Sequence, residues 1–345
     1  MVIWKRNQYE DLCTDICKEK KEEVIVMSSG NKKATSPDNK MILSNKDKPL
    51  SVRLYKYRWM YLMYLPVFIV LLIFEYIPMA GIVIAFCNYT PFTPKPEFIG
   101  LKNFQVLFGS ELFWRSFKNT LIISSVNIVL SLTTCVGLAL LIDEIKTVWF
   151  RKVVQSIIYI PHFISWVVVA SIFTMILSPT SGLINGFIEK LGGQPIYFLA
   201  DEKWWRPMLW IIERWKGIGW GTIVYMAALT GVDQEMHEAA TIDGANRWQR
   251  VLHITIPAIS PTILVVFIMD LAKVLNIFEP VWVLQNAAVL SVSDVIGTYV
   301  YRIGITNAQY GMSTAAGLFR SVISVVLVTL ANRASRKIRG EGILS

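Results

Sequence analysis

Four charged side chains lie inside stretches that are otherwise apolar. Asp270, Lys273 and Glu279 share one run, together with Asn276 and Trp282, and Arg320 lies in the next. Charges at bilayer depth cost about 2.5–3.5 kcal/mol each on an insertion scale, so they face a wet cavity or a partner. Their chemistry is that of holding a polar molecule or pairing with one another. A reaction centre would need clustered acids, a histidine pair or a nucleophile motif near one face, and none is seen. His162, His237 and His253 are scattered, and the four cysteines follow no zinc or redox spacing.

A second constellation is "EAATIDGANRWQRVLHITIP", residues 238 to 257. Asp233 is placed to cap a helix, with Gln234 and Glu235 in its first turn. Met236, Ala239, Ala240 and Ile242 then lie along one side. Gly244 stops or sharply turns that helix. A second helix follows with Ala245, Trp248, Val251 and Leu252 on one face, and Pro257 restarts the chain. Read from the residues alone, this is two short helices joined by a glycine. An ordinary amphipathic loop at the membrane surface stays equally open.

The elements that carry these residues follow from composition. Of 345 residues, 54% are hydrophobic and 17% charged, and the mean hydropathy is +0.46. The apolar excess gathers in long runs, the mark of membrane helices. Six spans are expected, at about 61–86, 120–142, 153–177, 207–229, 262–284 and 313–331. The fourth is the weakest because "ERWK" interrupts it. Trp204, Trp205, Trp210, Trp215 and Trp220 crowd the outer end of this span and read mostly as an interfacial belt. Glu75 in the first span is either near the outer interface or paired.

Residues 1–55 are polar and read as a mostly disordered cytoplasmic tail, with the membrane domain at 56–340. Met27 and Met41 are alternative starts. The net charge of +9 gathers before the first run and after the last, a pattern of membrane orientation rather than nucleic-acid binding. With both termini inside, the short inner segments hold 15 Lys and Arg against 8 in the outer ones. This places residues 230–261 in the cytoplasm.

The 238–257 block resembles the coupling loop of importer permeases of the ATP-binding-cassette superfamily. The family pattern is Glu-Ala-Ala, three residues, Gly, nine residues, Ile, any residue, Leu, Pro. Glu238, Ala239, Ala240, Gly244, Ile254 and Pro257 match it, with Ile256 in place of Leu. "EYIPMAGIVIAFCNYTPF" and "DVIGTYVYRIGITNAQYGMSTAAGLFRSVI" resemble the carbohydrate branch, which imports oligosaccharides and polysaccharide fragments. The likeness covers about residues 55 to 340.

The resemblance implies an all-α membrane protein of the cell membrane, six helices with a helix-turn-helix coupling loop between spans four and five. It implies half of a pore, completed by a second permease subunit in a heterodimer. Two cytoplasmic ATPase subunits would grip the coupling loops, and an extracellular sugar-binding lipoprotein would deliver substrate. The chain has no G-x-x-x-x-G-K-[ST] loop, so ATP would be bound by the partner and no cofactor by this chain. Asp270, Lys273, Asn276, Glu279, Trp282 and Arg320 become candidates for the sugar path, with Trp282 stacking on a sugar ring. Counted along straight helices at about 1.5 Å per residue, Glu279 and Arg320 reach similar depth, roughly 25 and 20 Å, so an ion pair between them is expected. Peptide or phosphate import on the same architecture is the alternative, and a membrane enzyme or non-transporting receptor is the alternative of another class.

Overall fold

The computed structural model describes residues 57–90, 92 and 95–339. The tail read at 1–55, with Cys13, Cys17, Met27 and Met41, lies outside the described residues. The chain divides into two units, one ending at Val70 and the other running from Leu71. In the first, the described residues are helical from Arg58.

The second unit is helical apart from one two-stranded antiparallel ladder, Cys87–Asn88 against Glu97–Phe98. Among the described residues, four helices are long and apolar enough to cross a membrane: Arg58–Phe86, Glu111–Asp143, Arg247–Ala272 and Tyr310–Lys337. Two further pairs would pass as spans if each bent pair counted as one: Val148–Phe163 with Trp166–Ile176, bent by 101°, and Ala287–Ser293 with Ile296–Thr306, bent by 120°.

The long helix Glu202–Leu229 fails that composition test because it carries its own charges. It packs along Glu111–Asp143. Trp205, Leu209 and Ile212 from it meet Ile123, Val169, Val281 and Val295 in one core cluster. Further along, Tyr225 and Leu229 meet Cys135, Ala139 and Ile259 in a second. Glycine permits the closest approaches. A Cβ at Gly219 would collide with the Ile158 carbonyl, and one at Gly221 would lie 2.6 Å from Cys135 Sγ.

Several expectations need correction. The stretch 153–177 is not a straight span: the helix stops in a 3-10 turn at Ile160–Phe163 and restarts at Trp166. Pro161 cannot donate to a continuing helix, and Ser165 caps the new one, its Oγ accepting from Val168 N–H at 3.4 Å. The stretch 262–284 is also broken. Its helix ends at Ala272, and a separate short helix, Glu279–Leu284, begins with Pro280 in its first turn. Conversely, Pro257 interrupts nothing. Arg247–Ala272 is continuous because a π-turn at Val251–Thr255 absorbs the proline, with Ile256 N–H reaching back to Val251 O. The same device, Leu72–Tyr76 with Ile77 N–H on Leu72 O, precedes Pro78.

The tryptophans are not one belt. Trp205 is fully buried and donates to Leu284 O at 3.1 Å, while Trp210 donates to Ile123 O at 3.0 Å. Trp204, Trp215 and Trp220 are exposed. The segment 285–312, which joins the expected fifth and sixth spans, is a helical hairpin whose Ile296, Gly297, Thr298 and Tyr299 are buried.

That hairpin is tied in by a polar network. Asp294 is 1% exposed. It takes a forked contact from Arg302, Nη1 to Oδ1 at 3.0 Å and Nη2 to Oδ2 at 2.6 Å. Ser116 Oγ donates to Oδ2 at 3.0 Å and Thr298 Oγ1 to Oδ1 at 2.8 Å. Asn119 Nδ2 donates to the Ser291 and Asp294 carbonyls, each at 3.0 Å. Arg206 closes the web, donating to Asn119 Oδ1 at 2.8 Å and to Val292 O at 3.1 Å.

Candidate functional site: an internal polar cavity and an exposed helical turn

The break after Ala272 matters because it opens a wall. Asp270, Lys273, Asn276 and Glu279 all line one cavity of about 450 Å³. Along a straight helix positions three apart step by about 60°, so the four would have fanned over half of its circumference. The broken backbone, with Phe278 at φ −143° and ψ −68°, turns them toward a common space. Facing them are Ser124, Asn127 and Ser131 from Glu111–Asp143, Glu213 and Arg214 from Glu202–Leu229, and Trp166.

Much of this wall is pre-positioned, and part of it is unsatisfied. Arg214 Nη2 donates to Asn127 Oδ1 at 2.8 Å, while Arg214 Nε has no partner. Glu213 is 8% exposed, yet its Oε2 accepts no hydrogen bond. A buried polar atom left without a partner costs about 1–3 kcal/mol, so such atoms mark where a ligand or water completes the structure. Among the described residues, the Lys273 ammonium makes no hydrogen bond or ion pair, although its charge is felt by Asp270. The cavity therefore presents free donors, a free acceptor and an aromatic ring, as a polar ligand requires.

Two candidates fall elsewhere. Trp282 lines a different cavity of about 740 Å³, with Met175, Tyr197 and Leu199. Its ring is already packed by Phe278, stacked at 5.6 Å, and Tyr301, at 4.6 Å. Arg320 is half-buried and lines neither cavity. It forms no ion pair with Glu279: the three ion pairs among the described residues are Arg151–Asp143, Arg247–Glu144 and Arg302–Asp294. The depth count behind the expected pair assumed a straight helix through Glu279. That helix ends at Ala272.

Glu213, Arg214, Asn127 and Trp166 were missed in the sequence. The "ERWK" interruption was the available signal, since a long apolar helix carrying an acid and two bases needs an interior to face.

The 233–257 block forms a distinct, exposed arrangement. Asp233 Oδ1 accepts from Glu235 N–H at 2.9 Å and starts the helix Gln234–Ile242. Gly244 follows at φ +81°, a left-handed conformation. Asn246 and Gln249 then form a reciprocal capping box, at 2.9 and 2.7 Å, for the next helix. Arg250 Nη1 bridges the two helices, donating to Thr241 Oγ1 at 2.7 Å. Glu238, Ala239, Gly244 and Pro257 are exposed and Ala240 is half-buried. Ile254 instead packs inward, against the cluster of Cys135, Tyr225 and Ile259. Large apolar side chains stand out from the same surface, Ile242 at 87% and Trp248 at 75% exposure. Among the described residues, no group of His, Cys, Asp and Glu could hold a metal ion.

Residues 135–340 match the family model described as binding-protein-dependent transport system inner membrane component. The polygalacturonan/rhamnogalacturonan transport system permease protein YteP of Bacillus subtilis (strain 168) is 41% identical over 320 residues, covering 92% of this chain and all of that protein. Protein LplB of the same organism is 42% identical over 289 residues, 83% of this chain and 91% of its own. The crystal structure of a bacterial alginate ABC transporter, in complex with an alginate pentasaccharide-bound periplasmic protein, contains a chain 38% identical to this one. It superposes with a TM-score of 0.80 over 86% of this chain and 100% of that one.

Proposed function

From the premise that the chain belongs to the family of binding-protein-dependent transport system inner membrane components, we propose that it is the permease subunit of a sugar importer and lines half of its pore. It is a multi-pass membrane protein. A second permease subunit completes the pore, two ATPase subunits drive it from the cytoplasm, and an external binding protein delivers the sugar. The substrate is an oligosaccharide cut from an acidic polysaccharide. The observation that carries the sugar reading is the cavity of hydrogen-bonding side chains Asp270, Lys273, Asn276 and Glu279, in which Arg214 and Lys273 are the cations open to a carboxylate beside the acids Asp270, Glu213 and Glu279. The polysaccharides for which the similar proteins are named, polygalacturonan and alginate, support the same class. The helical turn around Gly244, with Glu238, Ala239 and Ala240, is the surface the ATPase grips.

The test is uptake by the reconstituted importer of trigalacturonate, a neutral trisaccharide and a tripeptide. Trigalacturonate is expected to be taken up fastest. Equal or preferred uptake of the tripeptide would replace the sugar reading. Lys273→Ala is expected to cut trigalacturonate uptake by about tenfold, the size of one lost charge-assisted hydrogen bond, with a smaller effect on the neutral sugar. An equal loss on both sugars would remove Lys273 from carboxylate recognition.

The basic-residue bias supports both termini in the cytoplasm. A cysteine replacing Lys190 is then expected to react with an impermeant thiol reagent added outside, and one replacing Asn246 only after the membrane is opened. The opposite pattern would invert the topology.

A further inference from the structure

The kink between the helices Val148–Phe163 and Trp166–Ile176 is clamped from one side. Lys216, Gly219 and Trp220 sit within about a turn of each other on Glu202–Leu229, positions that share a helix face. Lys216 Nζ donates to His162 O at 2.7 Å, satisfying a carbonyl the broken helix leaves open. The Trp220 ring stacks on His162 at 4.6 Å and 5°. Gly219, lacking a side chain, lets the Ile158 carbonyl come close. Three residues thus fix the bend in one place. Immediately after it, Ile164 (φ −77°, ψ 135°) and Ser165 (φ −64°, ψ 150°) extend the chain and deliver Trp166 to the cavity wall.

The same ammonium also addresses Trp166 itself. Lys216 Nζ lies over its ring, 5.5 Å from the centroid. Lys216 is 8% exposed, so this cation–π contact operates away from bulk water, where it is strongest. One buried lysine therefore holds both the backbone of the bend and the side chain that the bend presents.

We propose that Trp166 is the platform on which a pyranose ring of the substrate rests in the Asp270–Glu279 cavity, and that Lys216 is its positioning residue. The inference deepens, and rests on, the reading of this cavity as part of the sugar path. A pyranose has an apolar face of axial C–H groups and a rim of hydroxyls. A flat ring set in a polar wall matches that division. With the apolar face on Trp166, the rim hydroxyls meet Asn276, Asp270 and the unpartnered Glu213 Oε2, which lacks a donor. Trp282, the ring singled out in the sequence, is covered by Phe278 and Tyr301 and belongs to the neighbouring cavity.

The experiment measures binding of radiolabelled trigalacturonate to the assembled importer, without ATP and without the external binding protein. Trp166→Ala is expected to weaken binding about two- to tenfold, the scale of one aromatic stacking contact, and Trp166→Phe to recover most of it. Lys216→Met keeps the length of the side chain and removes the ammonium. It is expected to weaken binding comparably, with Lys216→Arg restoring it. A spectroscopic readout separates contact from mere structure. The emission of Trp166, taken as the difference between wild type and Trp166→Phe, is expected to shift when trigalacturonate is added. Wild-type affinity in a folded Trp166→Ala importer, or a difference emission blind to the sugar, overturns the platform. Wild-type affinity in Lys216→Met overturns the positioning role. Ser131→Cys, in the cavity wall but outside the proposed contacts, supplies a thiol that reports on the cavity independently. If trigalacturonate slows its modification while Trp166 is silent, the cavity reading stands and the platform falls. If it protects neither, both fall.

Discussion

Gly244→Pro abolishes uptake while the chain still inserts in the membrane: that is the expected result at the 233–257 turn. Gly244 is at φ +81°, and proline is locked near −65°, so the turn cannot form as it stands. Proline also removes the Gly244 N–H bond to Thr241 O, at 3.1 Å. The neighbouring bonds, Ala245 N–H to Ala240 O at 2.9 Å and Arg250 to Thr241 at 2.7 Å, depend on the same geometry. A Cβ at this position would meet nothing within 4 Å. The damage is therefore not to packing within the chain but to the angle at which Gln234–Ile242 is offered. Gly244→Ala should be milder, since a left-handed residue costs about 1–2 kcal/mol. Gly244→Trp adds bulk on the exposed side and should block a docked partner. Uptake per inserted chain and co-purification of the ATPase are the measurements. A well-expressed Gly244→Trp chain that transports normally would remove this turn from the coupling surface.

Loss of the Asp294 carboxylate is expected to destabilise the fold by about 3 kcal/mol, the lower end for breaking a buried ion pair because Arg302 keeps partial access to solvent. Asp294→Ala strands the Arg302 guanidinium, while the Ser116 and Thr298 hydroxyls fall back on the Leu112 and Val295 carbonyls. Arg302→Met should cost at least as much, since it leaves a carboxylate that is 1% exposed with two hydroxyl donors but no counter-charge. Adding Arg302→Met to Asp294→Ala should then recover stability, because the stranded cation is gone. Thermal unfolding in detergent reads the series. A double variant no more stable than Asp294→Ala would show that the two charges do not act on one another.

The coarse architecture was legible because long apolar runs have few physical solutions. The helices over 111–143, 202–229 and 310–339 could be located from hydropathy, although the runs expected at 120–142, 207–229 and 313–331 stop short of them where polar residues extend the helix. Asp233 and Gly244 were legible for a different reason: caps and left-handed glycines act over three or four residues, so the sequence contains their whole cause, whereas the Asn246 cap went unread. The breaks were not legible. Pro161 ends a helix, yet Pro257 and Pro78 pass through one, and the difference is a π-turn whose formation depends on surroundings. The cavity was half visible. Asp270, Lys273, Asn276 and Glu279 announced themselves as polar residues in an apolar run. Glu213, Arg214 and Trp166 join them only through tertiary packing, as does the separation of Arg320 from Glu279. Asp294 was overlooked because its segment looked like a connection, and its value lies in Ser116, 178 positions away.

The charged helix Glu202–Leu229 also constrains how the protein is made. Arg206, Arg214 and Lys216 each donate to a residue synthesised earlier: Asn119, Asn127 and His162. A nascent segment carrying those cations would be a poor candidate for release into lipid alone, at about 2.5–3.5 kcal/mol for each charge near the centre. Its acceptors are already in the bilayer when it leaves the ribosome. The upstream helices therefore serve as an internal receptor for this one, and N-to-C order of synthesis becomes part of the folding mechanism. A chain begun after Asp143 would reach the insertion machinery with Arg206 and Arg214 lacking those acceptors, and supplying residues 1–143 as a separate polypeptide should restore its integration.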